Sequence, residues 1–359
     1  MIKLATVFSG IGAPEEALEQ MKTDFEIVFA CDNGEIELEE TYDQIMESTK
    51  DLSNNERIKY VNNLYINSHK VNNVKPSYFA NHNITEDRWY EDVRFIDGYQ
   101  YRGKVDILVG GSPCQSFSTY GKKKGFEDTR GTLFFHYANL ISTIKPKVFI
   151  YENVPGLKTH DGGNTWKRIL EVFQELDYSI FVFNLNAKDY GLPQNRERVF
   201  VVGFQKQFEI AEFEAPKKKK LRKKASDFFS KNVSEKYYMG KKGFEWVTTP
   251  AKHQGRSRVN NDIIGCQTAN QQFNWTGDFV LEPPTESIRN NKNIFIGTYD
   301  NKECVARKLT PHECLRLMGF KKFKIVVNDK DAYRQSGNSI AVPVLIALFK
   351  QIFKTVEFE

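Results

Sequence analysis

Short apolar runs alternate with helix-period stretches through the first two hundred residues of this 359-residue chain. Strand-like runs fall at 4–8, 26–31, 105–109, 148–151, 179–184 and 198–204. Helical spacing lies between them at 14–21, 131–144 and 165–176. This β-then-α rhythm predicts an α/β fold with a mostly parallel sheet, whose ligand sites open at the carboxyl ends of the strands. Pro14 suits the first turn of its helix, where a missing N–H costs nothing. Residues 36–75 break the rhythm. They are rich in Glu, Asn and Lys and predict an insertion of helix and loop, partly mobile.

The character changes after Phe204. A lysine-rich stretch is followed by an irregular one at 254–274, rich in Gln, Asn, Thr and Gly, and then by Pro283-Pro284. This predicts a smaller, loop-rich second domain. Regular pattern returns near 310. Thr310 is an N-cap, Pro311 fits the first turn, Glu313 completes a capping box and Gly319 ends the helix. A last helix is predicted from about 339 to 353. The expected division is a first domain at 1–205, a second at 206–325, and a segment at 326–359 that returns to the first.

Composition narrows the class. Hydrophobic residues make up 40% of the chain, with 28 Phe and 16 Tyr, enough for a packed core. No apolar run approaches the ~20 residues that span a bilayer. Ser9-Gly10 end the first apolar run too soon for a signal peptide. Five cysteines, odd in number and without C-x-x-C spacing, argue against a disulfide framework and a zinc site, and for a reducing cytoplasm. Neither a metal nor a membrane is expected. The net charge of +5 is uneven: residues 216–260 hold 14 Lys and Arg against Asp227, Glu235 and Glu245. Such a block suits a polyanion partner or a solvated linker equally well.

Candidate chemistry sits at strand ends. Gly110-Gly111-Ser112-Pro113-Cys114 follows an apolar run and presents one thiol on a tight loop, where an α/β enzyme would place a nucleophile. Glu152 follows the run at 148–151 in the same way. Phe8-Ser9-Gly10-Ile11-Gly12 ends a strand and opens a helix, so its backbone can approach a ligand closely. Asp32, twenty residues past Gly12, is placed to hold ribose hydroxyls. The third glycine of a dinucleotide fingerprint is missing, which favours a mononucleoside-like cofactor over a pyrophosphate and disfavours a nicotinamide-linked oxidoreductase.

With these pieces in order, the chain resembles the DNA (cytosine-5)-methyltransferases. Six blocks occur in that family's order: Phe8 to Gly12, Gly111 to Gln115, Glu152 to Val154, Gln194 to Arg198, Arg307 to Glu313, and Gln335 to Ser339. The resemblance implies a Rossmann-like domain that binds S-adenosylmethionine, a smaller target-recognition domain, and a catalytic set of Cys114, Glu152, Arg196 and Arg198. Cys114 would add to carbon 6 of a flipped-out cytosine. Glu152 would serve ring nitrogen 3 and the exocyclic amine. Alternation places both arginines on one strand face, one for the ring carbonyl and the other for a phosphate or Glu152. The cofactor would lie among Phe8, Ser9, Gly10, Gly12, Asp32, Asp92, Pro113, Asn338 and Ser339. The family often carries an aromatic residue after the ribose ligand; here it is Asn33.

The implied partner is double-stranded DNA. Ser116, Ser118 and the run Lys122-Lys123-Lys124 follow the nucleophile and would meet phosphates. Gln254, Arg256, Arg258 and Gln271 are of types that read base edges, although the same side chains can satisfy loop backbone. The resemblance further implies a monomeric cytoplasmic enzyme of a bacterial or phage modification system, with or without a restriction endonuclease acting on the same site. Two other readings remain: a transfer-RNA cytosine-5 methyltransferase, and a catalytically silent DNA-binding relative.

Overall fold

The structure, a computed structural model, describes residues 1–112 and 133–358. The chain forms two compact units. One comprises Met1–Leu185, Glu197–Lys217 and Val344–Glu359; the other comprises Asn186–Arg196 and Lys218–Pro343.

The first unit is built on a seven-stranded sheet. Its strands are β1 (Ile2–Val7), β2 (Phe25–Cys31), β3 (Trp89–Tyr90), β4 (Ile107–Gly110), β5 (Val148–Asn153), β6 (Tyr178–Asn186) and β7 (Glu197–Gln205). They lie in the order β3-β2-β1-β4-β5-β7-β6. β3 to β5 run parallel, with Leu4 opposite Ile107 and Val109 opposite Ile150; β7 returns antiparallel to β5. The strand order turns at β1 and β4. Doubly wound sheets bind ligands at the carboxyl ends of the strands at such a turning point. β4 is buried throughout and β1 at every position except Lys3, which explains their near-continuous apolar runs.

The helices α1 (Ala13–Met21), α5 (Leu133–Ile144) and α6 (Asn164–Glu175) match the expected periodicity. Phe134, Tyr151 and Phe173 interlock edge to face in the core between sheet and helices. The insertion at 36–75 is helical, as its composition predicts, but it is also packed. It contributes α2 (Tyr42–Ser48), α3 (Asn54–Ile66) and the start of α4 (Val74–Phe79). Capping boxes at Thr41–Gln44 and Ser53–Glu56 start α2 and α3. Ile36, Ile45, Val61, Tyr65 and Phe95 form a separate small core.

The second unit carries α7 (Lys241–Thr248), α8 (Pro250–His253) and α9 (Glu286–Arg289). Its sheet has the order β10-β11-β9-β8, from β8 (Ser257–Val259), β9 (Gly277–Glu282), β10 (Ile296–Tyr299) and β11 (Lys302–Lys308). The β10–β11 hairpin turns on Asp300 and Asn301, both at positive φ (48° and 61°). A two-residue turn of that kind was a legible hairpin signal. α10 (Pro311–Leu317) begins with the capping box expected at Thr310 and Glu313. α11 (Asp329–Asn338), capped by Asn328, is absent from the sequence reading because its sequence is largely polar. α12 (Val342–Thr355) follows after a short break at Ser339–Ala341. By length and composition only, 329–355 passes as long and apolar enough to cross a membrane; 56% of its most apolar window is buried inside the protein, as in a core helix.

A buried ion pair anchors the second unit. Arg307 on β11 donates from both terminal nitrogens to Glu313, at 3.0 and 3.2 Å, with neither residue exposed. Arg307→Ala would strand the Glu313 carboxylate in the interior. The expected loss is about 3–5 kcal/mol. It would be read from the denaturation midpoint, and a loss under about 1 kcal/mol would contradict this account.

Candidate active site

The described residues of the first unit that the sequence marked lie along one edge of the sheet, just past the carboxyl ends of β1, β2 and β3, at that of β5 and, for Arg198, at the amino end of antiparallel β7. β1 runs into the glycine turn. Phe8 adopts φ 54°, an uncommon conformation outside glycine, and packs against the main core. Gly10 also has positive φ, and among the described residues nothing lies within 4 Å of where its Cβ would be. Its amide donates to the Asp32 carboxylate at 2.8 Å. Gly12 is required for a different reason: a Cβ there would lie 2.1 Å from the His82 ring. The Ser9 hydroxyl faces inward, accepting from the Cys31 amide and donating to its carbonyl, so it clamps the turn onto β2.

Asp32 leaves β2 beside this open space. Its other oxygen accepts from the Gly34 amide at 2.8 Å. Burial pushes its carboxyl up to about 6 against the pull of these two amides, and Glu35 and Glu91 add to the rise. Asn33 builds the turn beyond it, bonding Glu35 and Ile36. Open space above Gly10, a close backbone and a carboxylate acceptor together fit the ribose of a nucleoside cofactor.

Asp92 lies just past β3, but its carboxylate is turned into the protein. It accepts from the Tyr65 hydroxyl at 2.8 Å and from the Arg94 side chain, while capping the turn at Arg94. These donors already fill its acceptor sites, so the direct adenine contact implied by the resemblance has no free oxygen in this arrangement.

Glu152 and Arg198 meet. β5 and β7 are paired neighbours, and the Arg198 Nε lies 3.2 Å from a Glu152 oxygen, with each side chain 14% exposed. The end of β4 is pressed against the same place. A Cβ at Gly111 would fall 2.6 Å from the Glu152 carbonyl oxygen and 3.2 Å from its carboxylate. Asn153 donates to the Ser112 carbonyl at 2.8 Å, and the Ser112 and Tyr151 hydroxyls are 2.9 Å apart. Thus the chain is pinned beside Glu152 up to two residues before Cys114. Pro113, Cys114, Ser116, Ser118, Lys122, Lys123 and Lys124 lie outside the described residues.

Arg196 departs from expectation. β7 begins at Glu197, so Arg196 precedes the strand and alternation does not reach it. Its guanidinium is buried in the second unit. It donates to Cys266 Sγ and to the carbonyls of Gln267, Gly337 and Ser339. It therefore acts as a clamp on the C-terminal end of α11, where Asn338 and Ser339 lie, and neutralises orphan carbonyls there.

The base-reading candidates also divide. Arg256, Arg258 and Gln271 line one cavity of about 210 Å³ in the second unit. Gln254 is exposed, and the Arg256 guanidinium lies over the Trp246 ring. Arg258 makes a two-pronged pair with Asp278, at 3.0 and 2.8 Å, which uses the fork a guanine edge would need. Gln271 is 3% exposed and bonds Tyr333 and Ser336. It is a scaffold residue, the loop-satisfying role its residue type allowed.

The comparisons agree with this architecture. The profile of C-5 cytosine-specific DNA methylases matches residues 55–354. Type II methyltransferase M1.ScrFI of Lactococcus lactis subsp. cremoris is 38% identical over 255 residues, covering 70% of this chain and 63% of that protein. The chain thus spans just under two thirds of that relative. The orphan methyltransferase M.SPRI of Bacillus phage SPR is 27% identical over 99% of this chain and 98% of its own. Among solved structures, Spodoptera frugiperda DNMT2 superposes with a TM-score of 0.68 at 20% identity, over 98% of this chain and 100% of that one, a likeness of fold. The chain belongs to the C-5 cytosine-specific DNA methylase family. Its relatives include both Type II enzymes and phage orphan methyltransferases.

Proposed function

We propose that this protein transfers a methyl group to carbon 5 of a cytosine extruded from duplex DNA, within a bacterial or phage modification system in the cytoplasm. The observation that carries this reading is the junction of Gly111, Ser112 and Asn153 with the Glu152–Arg198 pair. It brings the chain leading to the one unassigned thiol against a carboxyl and a guanidinium at the strand ends. S-adenosylmethionine, when bound, supplies the electrophilic methyl group. Gly10, Gly12 and Asp32 would hold its nucleoside. The Cys114 thiolate adds to ring carbon 6, and the electron pair released makes carbon 5 nucleophilic. Glu152, in its protonated form, donates to nitrogen 3 and offsets the negative charge that develops on the ring. Arg198 fixes the Glu152 carboxyl and faces the ring carbonyl. Carbon 5 would then take the methyl group as the donor's methyl–sulfur bond breaks, its electron pair staying on sulfur, and removal of the carbon 5 proton by a base with cleavage of the S–C6 bond would restore the ring and the thiolate. The basic stretch at 216–260, with Lys242 over Trp275 and Arg256 over Trp246, offers phosphates a cationic surface.

The test is transfer of labelled methyl from the cofactor to duplex DNA and, separately, to transfer RNA. Label in duplex DNA is expected. Label confined to transfer RNA would shift the substrate, and none in either would favour a silent DNA-binding relative.

The raised Asp32 carboxyl gives the cofactor site a pH dependence. Only its ionised form accepts both ribose hydroxyls. Affinity for S-adenosylhomocysteine is expected to fall about tenfold from near pH 7.5 to near pH 5, as the group takes a proton below about 6. The stability of the free protein should move the other way. A carboxyl raised on folding contributes more stability as pH falls from about 6 towards its unfolded value. Calorimetric affinity that stays constant across this range would exclude Asp32 as the ribose acceptor.

A further inference from the structure

The insertion at 36–75 reaches out of its own core at several places, among them Asn54 to Asp97 and Tyr42 to His136, and two of these contacts lie at the nucleoside site. Asn72 donates to the Asp32 carbonyl at 2.8 Å and to a Glu91 carboxylate oxygen at 2.7 Å. Its own oxygen accepts from the Val74 and Lys75 amides, starting α4. The fit is close, since a Cβ at Gly34 would fall 2.4 Å from that oxygen. Lys75, next along, lies 3.4 Å from Glu91. Thus one side chain stitches the turn after β2 to the turn after β3. Tyr65, on α3 and 4% exposed, is the second contact, and its hydroxyl holds Asp92.

Unsupported, this row of acids would be hard to keep in place. Asp32, Glu91 and Asp92 are like charges crowded at neighbouring strand ends, and each requires donors if it is to hold one position. Arg94 and the loop amides supply some of them. The remainder come from the insertion.

We propose that the insertion at 36–75 is the outer support of the nucleoside site, with Asn72 and Tyr65 as positioning residues that hold the Asp32 and Asp92 turns for the adenosine moiety of the cofactor. This rests on the cofactor reading above. Neither residue touches the methyl group or the cytosine. They act through Asp32, Glu91 and Asp92, so their loss weakens cofactor binding rather than chemistry.

Two conservative substitutions test this. Asn72→Asp keeps the oxygen that starts α4 but removes both donated bonds and sets a negative charge beside Glu91. Tyr65→Phe removes only the hydroxyl. Calorimetric titration with S-adenosylhomocysteine should show about tenfold or greater weakening for Asn72→Asp and about threefold to tenfold for Tyr65→Phe, the worth of hydrogen bonds to charged groups. The KM for the cofactor should rise in step while that for DNA stays constant and kcat at saturating cofactor falls no more than about twofold. Hydrogen exchange on the wild-type protein should show residues 58–75 protected on binding S-adenosylhomocysteine. Wild-type affinity in both variants, with no such protection, would overturn the inference alone. Failure of the wild-type protein itself to bind would overturn the cofactor reading and this inference with it.

Discussion

Cys114→Ala is expected to abolish methyl transfer, by about 10⁴-fold or more, while S-adenosylhomocysteine still binds with wild-type affinity. Losses of this size follow when a covalent nucleophile is removed, because the remaining contacts cannot open the alternative path. The other four cysteines cannot substitute. Cys31 and Cys314 are buried and their thiols are pushed well up, chiefly by burial, which keeps them protonated. Cys304 is also buried and raised by the same cause. Cys266 belongs to the second unit, where its thiol donates to the Gln267 carbonyl. The geometry leading to position 114 supports the assignment. Two residues of chain span at most about 7 Å, and Ser112 is tied to Asn153, the neighbour of Glu152. Labelled-methyl incorporation by the Ala variant above a few per cent of wild type would remove Cys114 from the role.

Glu152→Gln is expected to cost about 10²–10⁴-fold in the single-turnover rate, the range typical of a positioned acid–base group. The substitution keeps the shape and a hydrogen-bonding head, so the fold should survive. What it loses is the ion pair with Arg198, 3.2 Å away, and the acid proton that nitrogen 3 would receive. Because Gly111 packs directly on the Glu152 backbone, larger substitutions at 152 would confound chemistry with displacement of the loop. The Gln variant avoids that. A rate within about twofold of wild type, with DNA and cofactor binding unchanged, would assign the role elsewhere.

The two arginines of the Gln194–Arg198 block show where reading a sequence stops. Both carry the same side chain, two residues apart, and strand alternation would place them on one face. Only Arg198 is in the strand. Arg196 belongs to the turn before it, and four acceptors brought from two distant stretches of chain, 266–267 and 337–339, capture its guanidinium. No local pattern announces that capture. Gln271 is the same lesson in the second unit. Its type suits a base edge, but a buried amide must find protein partners, and Tyr333 and Ser336 supply them.

Most of the strands, the mostly parallel sheet, the glycine turn and the placement of Asp32 and Glu152 after strands were legible from residues alone. Each rests on local chemistry: apolar runs that must be buried, turns that admit only glycine, and carboxylates that follow a strand directly. Tertiary structure alone decided which polar side chains face a ligand and which are consumed by the protein. It turned Asp92 inward, made Arg196 a clamp, and set the insertion against Asp32, Glu91 and Asp92. Hydrogen-bond partners for buried charge are chosen by proximity in space, and the linear order of residues carries no record of that proximity.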